Sequence, residues 1–147
     1  FTFPRQADAP HLCVADYFHT AKQGGDIMPG FVVTVGESIL AETRRLYEAG
    51  EYRDYLLLYA LGMELAEAMA CRIHRHIRRE LGLDEKVSAR YGFGYSSCPD
   101  LSLQTELMKL LCASEIGLRL TESFEIVPEL STAAIVAAHP QARYFTV

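Results

Sequence analysis

YRDYLLLYALGMELAEAMACRIHRHIRREL, residues 52–81, is the stretch from which the fold is read. Leu58, Leu61, Leu65, Met69, Ile73 and Ile77 fall at steps of three and four, so they predict one apolar stripe along a long helix. Gly62, Ala66, Ala68 and Ala70 lie between them and permit a close neighbour. Gly82 is the predicted stop. Upstream, residues 37–49 read as a first helix ended by Gly50, which makes a helical hairpin with the second. Residues 104–111 read as a further helix. Strand formers cluster at 12–18, 31–35, 118–127 and 132–138, with a last short strand at 144–147. A turn around Pro128-Glu129 joins the two long C-terminal strands, and 84–100 reads as irregular. Strands at both ends of a helical centre predict a single α+β domain. Its sheet is mostly antiparallel and twisted, with a long central helix.

The composition supports a packed core. Half of the 147 residues are hydrophobic and 22% are charged. The formal net charge is -5, from 14 basic and 19 acidic residues, a poor balance for holding nucleic acid or anionic lipid. Cys13, Cys71, Cys98 and Cys112 form no CxxC pair and no zinc-finger spacing, so they read as reduced thiols of a cytoplasmic protein. Phe1-Thr2-Phe3-Pro4-Arg5-Gln6 is no secretory leader, and the apolar run at 133–138 is too short to cross a membrane. The lack of an initiator Met reads as a start inside a longer polypeptide.

The chemistry concentrates in Arg90-Tyr91-Gly92-Phe93-Gly94-Tyr95-Ser96-Ser97-Cys98-Pro99-Asp100. Two glycines among aromatic residues make a backbone that a flat heterocycle can approach closely. Arg90 can hold a carboxylate with two parallel hydrogen bonds. The same residues also suit an ordinary tight turn, and physics alone favours that plainer reading, because two glycines in a loop are a weak signal.

This stretch resembles the RxxxGYxxCP(D/E) signature of the S-adenosylmethionine-binding reactivation (activation) domain of cobalamin-dependent methionine synthase. Other segments carry the same likeness in the same order. They are Phe3-Pro4-Arg5-Gln6 with Leu12 to Phe18, Val32-Val33-Thr34-Val35-Gly36, and Leu65-Ala66-Glu67-Ala68 with His74. Leu120-Thr121-Glu122-Ser123-Phe124 and His139-Pro140 with Tyr144-Phe145 complete the set. The resemblance implies that 1–147 is the C-terminal portion of such a domain, lacking an N-terminal part that carries a tryptophan-containing segment. The chain has no tryptophan. In the family the domain presents S-adenosylmethionine to cobalamin that has fallen to the inactive cob(II)alamin state. A flavodoxin-type reductase supplies an electron, and the methyl group restores the cofactor.

By that resemblance, Arg90, Tyr91, Gly92, Phe93, Gly94 and Tyr95 form the S-adenosylmethionine loop, with Tyr95 toward the corrin ring. Glu67 faces the cationic ligand, and Tyr144 contacts it. Each has a plainer reading beside it. Glu67 can be a solvated helix carboxylate and Tyr144 a packed strand tyrosine. His74 reads as a satisfied interface histidine, with contact to the cobalamin module as the alternative, and Cys98 as a structural thiol. Arg72, Arg75, Arg78 and Arg79 read as a solvated helix end, or as a docking patch for an acidic partner. The family places Pro-Ala where this chain has Ser96-Ser97, which alters loop stiffness. The interval from the long helix to Arg90 is also short.

The implied partners are the cobalamin-binding domain of the synthase, which carries the corrinoid, and the reductase. Neither nucleic acid nor membrane is expected. The implied role is a module of a methyltransferase that is not catalytic alone. The alternative is a docking module for a corrinoid protein that has lost S-adenosylmethionine binding. An independent small enzyme is disfavoured, since no triad, metal set or phosphate loop is present in the sequence.

Overall fold

The computed structural model describes residues 1–84 and 87–147. Its centre is a three-stranded antiparallel sheet of β1 (Gly30–Thr34), β5 (Ser131–Ala137) and β2 (Ala89–Gly92), in the order β1-β5-β2. Phe31 pairs with Ala134, Arg90 with Val136, and Gly92 with Ala134. Strand alternation then divides the side chains between two faces. Phe31, Val33, Ala134 and Val136 point one way, and Ala133, Ile135 and Ala137 the other. Both faces are covered, so Ala133 to Ala137 are all buried.

The first face is covered by α2 (Tyr52–Glu80), which pairs with α1 (Glu37–Glu48) as a helical hairpin. Gly50 takes a left-handed φ of 76° between the helices, where Tyr47 meets Tyr52 and Tyr55 with ring centroids 5.4 Å apart. Gly82, φ 65°, follows the end of α2. The expected apolar stripe holds only in part. Met69, Ile73 and Ile77 pack on the sheet, but Leu61 and Leu65 are exposed, at 54% and 41%. The face turned to the sheet is the small one: Gly62, Ala66 and Ala70, at steps of four, are buried. A Cβ at Gly62 would sit 2.4 Å from Leu130 Cδ1, and Leu130 is itself buried. Small residues win here because the helix lies too close to the sheet for leucines.

The second face is closed by Val14, Tyr17, Tyr91, Phe93, Cys98 and Leu107, the last from α3 (Gln104–Leu110). Residues 12–18 are therefore not a strand. Val14–Tyr17 form a 3₁₀ turn, which aligns positions i and i+3, so Val14 and Tyr17 enter the core together. The expected strand at 118–127 is broken into β3 (Arg119–Leu120) and β4 (Ile126–Val127). The backbone turns between them through Phe124 N–H to Thr121 O (3.0 Å), while Thr121 Oγ1 accepts from Glu125 N–H (3.0 Å). A polar Thr-Glu-Ser run supplies its own turn bonds and so leaves the strand conformation.

The stretch expected to be irregular, 84–100, contains β2, and its positions 85 and 86 lie outside the described residues. The expected strand at 144–147 is absent. That tail is held by side chains instead, as described below. No described helix is long and apolar enough to cross a membrane.

Ala70→Leu is expected to destabilise the chain by about 1–3 kcal/mol through overpacking. Leu61→Ala is expected to stay within about 0.5 kcal/mol. Urea unfolding of the two variants checks this, and the opposite ranking would mean that the leucines face the sheet.

Candidate functional site

Arg90 and Gly92 share the face of β2 that looks toward α2, as their partners Val136 and Ala134 require. On α2, Glu67, Cys71 and His74 are spaced by four and three and form a polar seam against that strand. Arg90 donates from Nη2 to Glu67 Oε1 and from Nη1 to Cys71 Sγ (3.6 Å). One turn further along, His74 Nε2 lies 3.0 Å from Ser88 Oγ. Burial works against the Arg90 charge, but the neighbouring Glu67 carboxylate and Cys71 outweigh it and raise the Arg90 pKa. The guanidinium is thus a fixed cation, 20% exposed, beside a carboxylate that is 56% exposed.

The pair stands on the wall of a cavity of about 350 Å³. Its floor is the sheet itself, at Phe31, Gly92, Thr132, Ala133 and Ala134. Tyr95 and Tyr144 form the rim and are exposed, at 71% and 68%. Gly92 is required by the fold of this rim, because a Cβ there would approach the Tyr95 ring to 3.0 Å. Gly94 is required twice over: its φ is +81°, and a Cβ would meet Leu101 Cδ2 at 2.9 Å. The turn is closed by Gly94 N–H to Cys98 O and Cys98 N–H to Tyr95 O, both 2.8 Å. Cys98 is fully buried under it, and burial first, then Asp100 and Cys13, pushes its thiol up to about 11. It is a structural thiol.

Five expected site residues, Glu67, Arg90, Gly92, Tyr95 and Tyr144, meet at this one cavity with their side chains or open backbone. Three do not present side chains to it. The Tyr91 ring is 1% exposed in the opposite core, with its hydroxyl on Arg143 O at 2.9 Å, so it lines the cavity through backbone. Burial, then Tyr17, raises its phenol pKa. Phe93 is likewise core, 5% exposed and stacked on Phe1. Gly94 borders a second, more open groove of about 580 Å³ on the far side of Tyr95. Strand alternation explains Tyr91, which must face away from α2, while Phe93 and Gly94 lie past the end of β2 in the turn closed by Cys98.

Sequence reading missed Thr132, Ala133 and Ala134 as floor residues, since small strand residues carry no chemical signature. It also missed the role of Ser97, whose hydroxyl is tied to the C-terminal backbone.

The family described as vitamin B12 dependent methionine synthase, activation domain, matches residues 2–147. The chain belongs to that family. A methionine synthase of Mycobacterium leprae (strain TN) is 37% identical over 171 aligned positions, covering 100% of this chain and 14% of that protein. One of Mycobacterium tuberculosis (strain ATCC 25618 / H37Rv) gives the same identity and coverage. The chain thus spans about one-seventh of these relatives, and an alignment longer than 147 positions means that they carry residues with no counterpart here. The crystal structure of the MetH reactivation domain bound to AdoHcy superposes with a TM-score of 0.87. It is 24% identical, and the match covers 98% of this chain and 50% of that one. The α+β activation-domain fold is therefore the fold of this chain.

His74 carries a pH signature of the seam. Burial first, then the positive charges of Arg78 and Arg90, lowers its pKa from 6.5 to about 4. Above pH 6.5 the ring is neutral whether the chain is folded or not. Between 6.5 and about 4 the unfolded chain takes up a proton that the folded chain refuses, so acidification costs stability. His74→Gln is expected to flatten the pH dependence of unfolding free energy in that window and to leave it unchanged at pH 8.

Proposed function

We propose that this chain is the S-adenosylmethionine-presenting part of a cobalamin-dependent methionine synthase. In that role it supports reductive methylation of cob(II)alamin and the return of the enzyme to its working cycle. The observation that carries the reading is the opposed pair of Glu67 and Arg90 on the wall of one cavity. The methionine end of S-adenosylmethionine is a zwitterion. Its carboxylate suits the two-pronged guanidinium of Arg90, and its ammonium suits Glu67. A cavity of about 350 Å³ falls in the range of small-molecule sites, which supports room for the ligand. The exposed faces of Tyr95 and Tyr144 offer aromatic surface to the adenine ring and to the sulfonium. The solved relative carries AdoHcy, the demethylated form of the same ligand, by its own description.

When bound, S-adenosylmethionine supplies the methyl group. The residues of this chain bind and orient it and keep water from its inner side. Arg90 and Glu67 fix the amino-acid end. The Gly92 backbone leaves the floor open, and Tyr95 at the rim faces the corrinoid held by the cobalamin-binding domain. Catalysis thus belongs to the whole methyltransferase, in the cytoplasm. A flavodoxin-type reductase is its electron source, and the basic group of Arg72, Arg75 and Arg79 around Leu83 suits an acidic partner. The other reading, a docking module without ligand, predicts a collapsed or open pocket with an exposed apolar patch. It is less well supported, since Glu67 and Tyr144 both line one formed cavity.

Calorimetric titration with S-adenosylmethionine tests the reading. Saturable binding is expected, weakened about tenfold or more in Arg90→Ala and in Glu67→Gln, as loss of a hydrogen bond to a charged group implies. No binding at millimolar ligand would favour the docking module.

A further inference from the structure

Ser97 stands where its hydroxyl acts as a strand partner for a segment that has no strand. It is 3% exposed. Its Oγ donates to Phe145 O at 2.5 Å and accepts from Phe145 N–H at 2.9 Å. One hydroxyl therefore satisfies both backbone groups of one residue, as a neighbouring strand would. Two positions earlier in the tail, Arg143 O accepts from the Tyr91 hydroxyl at 2.9 Å. Val147 N–H donates to Ser96 O at 3.1 Å, and Gln6 Nε2 donates to Thr146 O at 2.5 Å.

These anchors bracket Tyr144, whose own ring is mostly in solvent. The ring meets Tyr91 edge-on at a centroid distance of 5.7 Å. From 138 to 147 the chain forms neither helix nor strand. The place of Tyr144 on the rim is therefore set by the bonds on either side of it. Tyr91 is a core ring, so its bond comes with the fold. Ser97 sits in the turn that also forms the Gly94–Cys98 closure.

We propose that Ser97 is a positioning residue for the binding site: its hydroxyl clamps Phe145 and thereby holds Tyr144 over the cavity. The inference rests on the reading of the cavity as the S-adenosylmethionine site. Ser97 also borders that cavity, but its hydroxyl is already engaged on both sides by Phe145. Its effect on the ligand is therefore indirect. Without the hydroxyl, the Phe145 N–H and C=O lose a buried partner, and the tail gains by moving into water. Tyr144 leaves the rim with it.

The test is a double-mutant cycle on the full 147-residue chain, Ser97→Ala and Tyr144→Ala singly and together, read by S-adenosylmethionine titration and by amide hydrogen exchange at Phe145. Ser97→Ala is expected to weaken binding by about threefold to thirtyfold and to speed exchange at Phe145. In the Tyr144→Ala background it is expected to cost no further affinity. Additive losses would overturn the clamp, because Ser97 would then act on the ligand without Tyr144. So would faster exchange at Phe145 with unchanged affinity. If the wild-type chain binds no ligand, the reading of the cavity falls, and exchange still decides the clamp. Protection at Phe145 that survives Ser97→Ala would refute it, and protection lost would retain it.

Discussion

The close seating of α2 on the sheet is the constraint on which the site depends. Gly62, Ala66 and Ala70 remove side-chain bulk from one face of the helix, so its backbone approaches β5 and Leu130. The strand answers with Ala134. At that separation a glutamate on the helix flank reaches an arginine on the edge strand. A helix held further out by leucines would leave Glu67 and Arg90 apart, each in water. The same approach keeps the cavity narrow between the Glu67 side of α2 and the Gly92 floor.

An ion pair with one partner more than half exposed contributes on the order of 1 kcal/mol or less. That weakness is useful. A zwitterionic ligand that offers a carboxylate to Arg90 and an ammonium to Glu67 replaces each contact with one of the same kind. Under the proposed function the pair is a placeholder, keeping both side chains aimed at the cavity until a ligand separates them. A stronger, fully buried pair would resist that exchange.

Much of the architecture was legible because the signals were periodic or punctuated. Gly50 and Gly82 marked where the two helices stop, and β1 and β5 announced themselves by their apolar runs. The side of α2 that packs was not legible. Leucines and small residues share the helix, and only the distance to the sheet decides between them. Val14–Tyr17 read as strand because Val and Tyr favour strands, yet tertiary packing placed them in a 3₁₀ turn. Arg90 to Gly92 read as loop because of its glycine, while pairing with β5 made it a strand and fixed which residues face the cavity. Glu67, Arg90, Tyr95 and Tyr144 were singled out through the resemblance of their motifs, and they line one cavity. Tyr91 and Phe93 were not separable from them, since a motif does not say which face its residues take.

The tail adds a second layer. A segment without a strand is fixed by hydroxyls and an amide, so the rim is softer than the floor. Such a rim suits the proposed function, in which a ligand enters, is held and is shown to another domain.

The central claim is that a charge pair recognises the amino-acid end of the ligand. Its most direct test is a parallel titration with S-adenosylmethionine and with its decarboxylated form, which keeps the adenosine, the sulfonium and the amine. The account predicts binding about tenfold or more weaker for the decarboxylated ligand, with the difference abolished in Arg90→Ala. Equal affinity of the wild-type chain for the two ligands would contradict it.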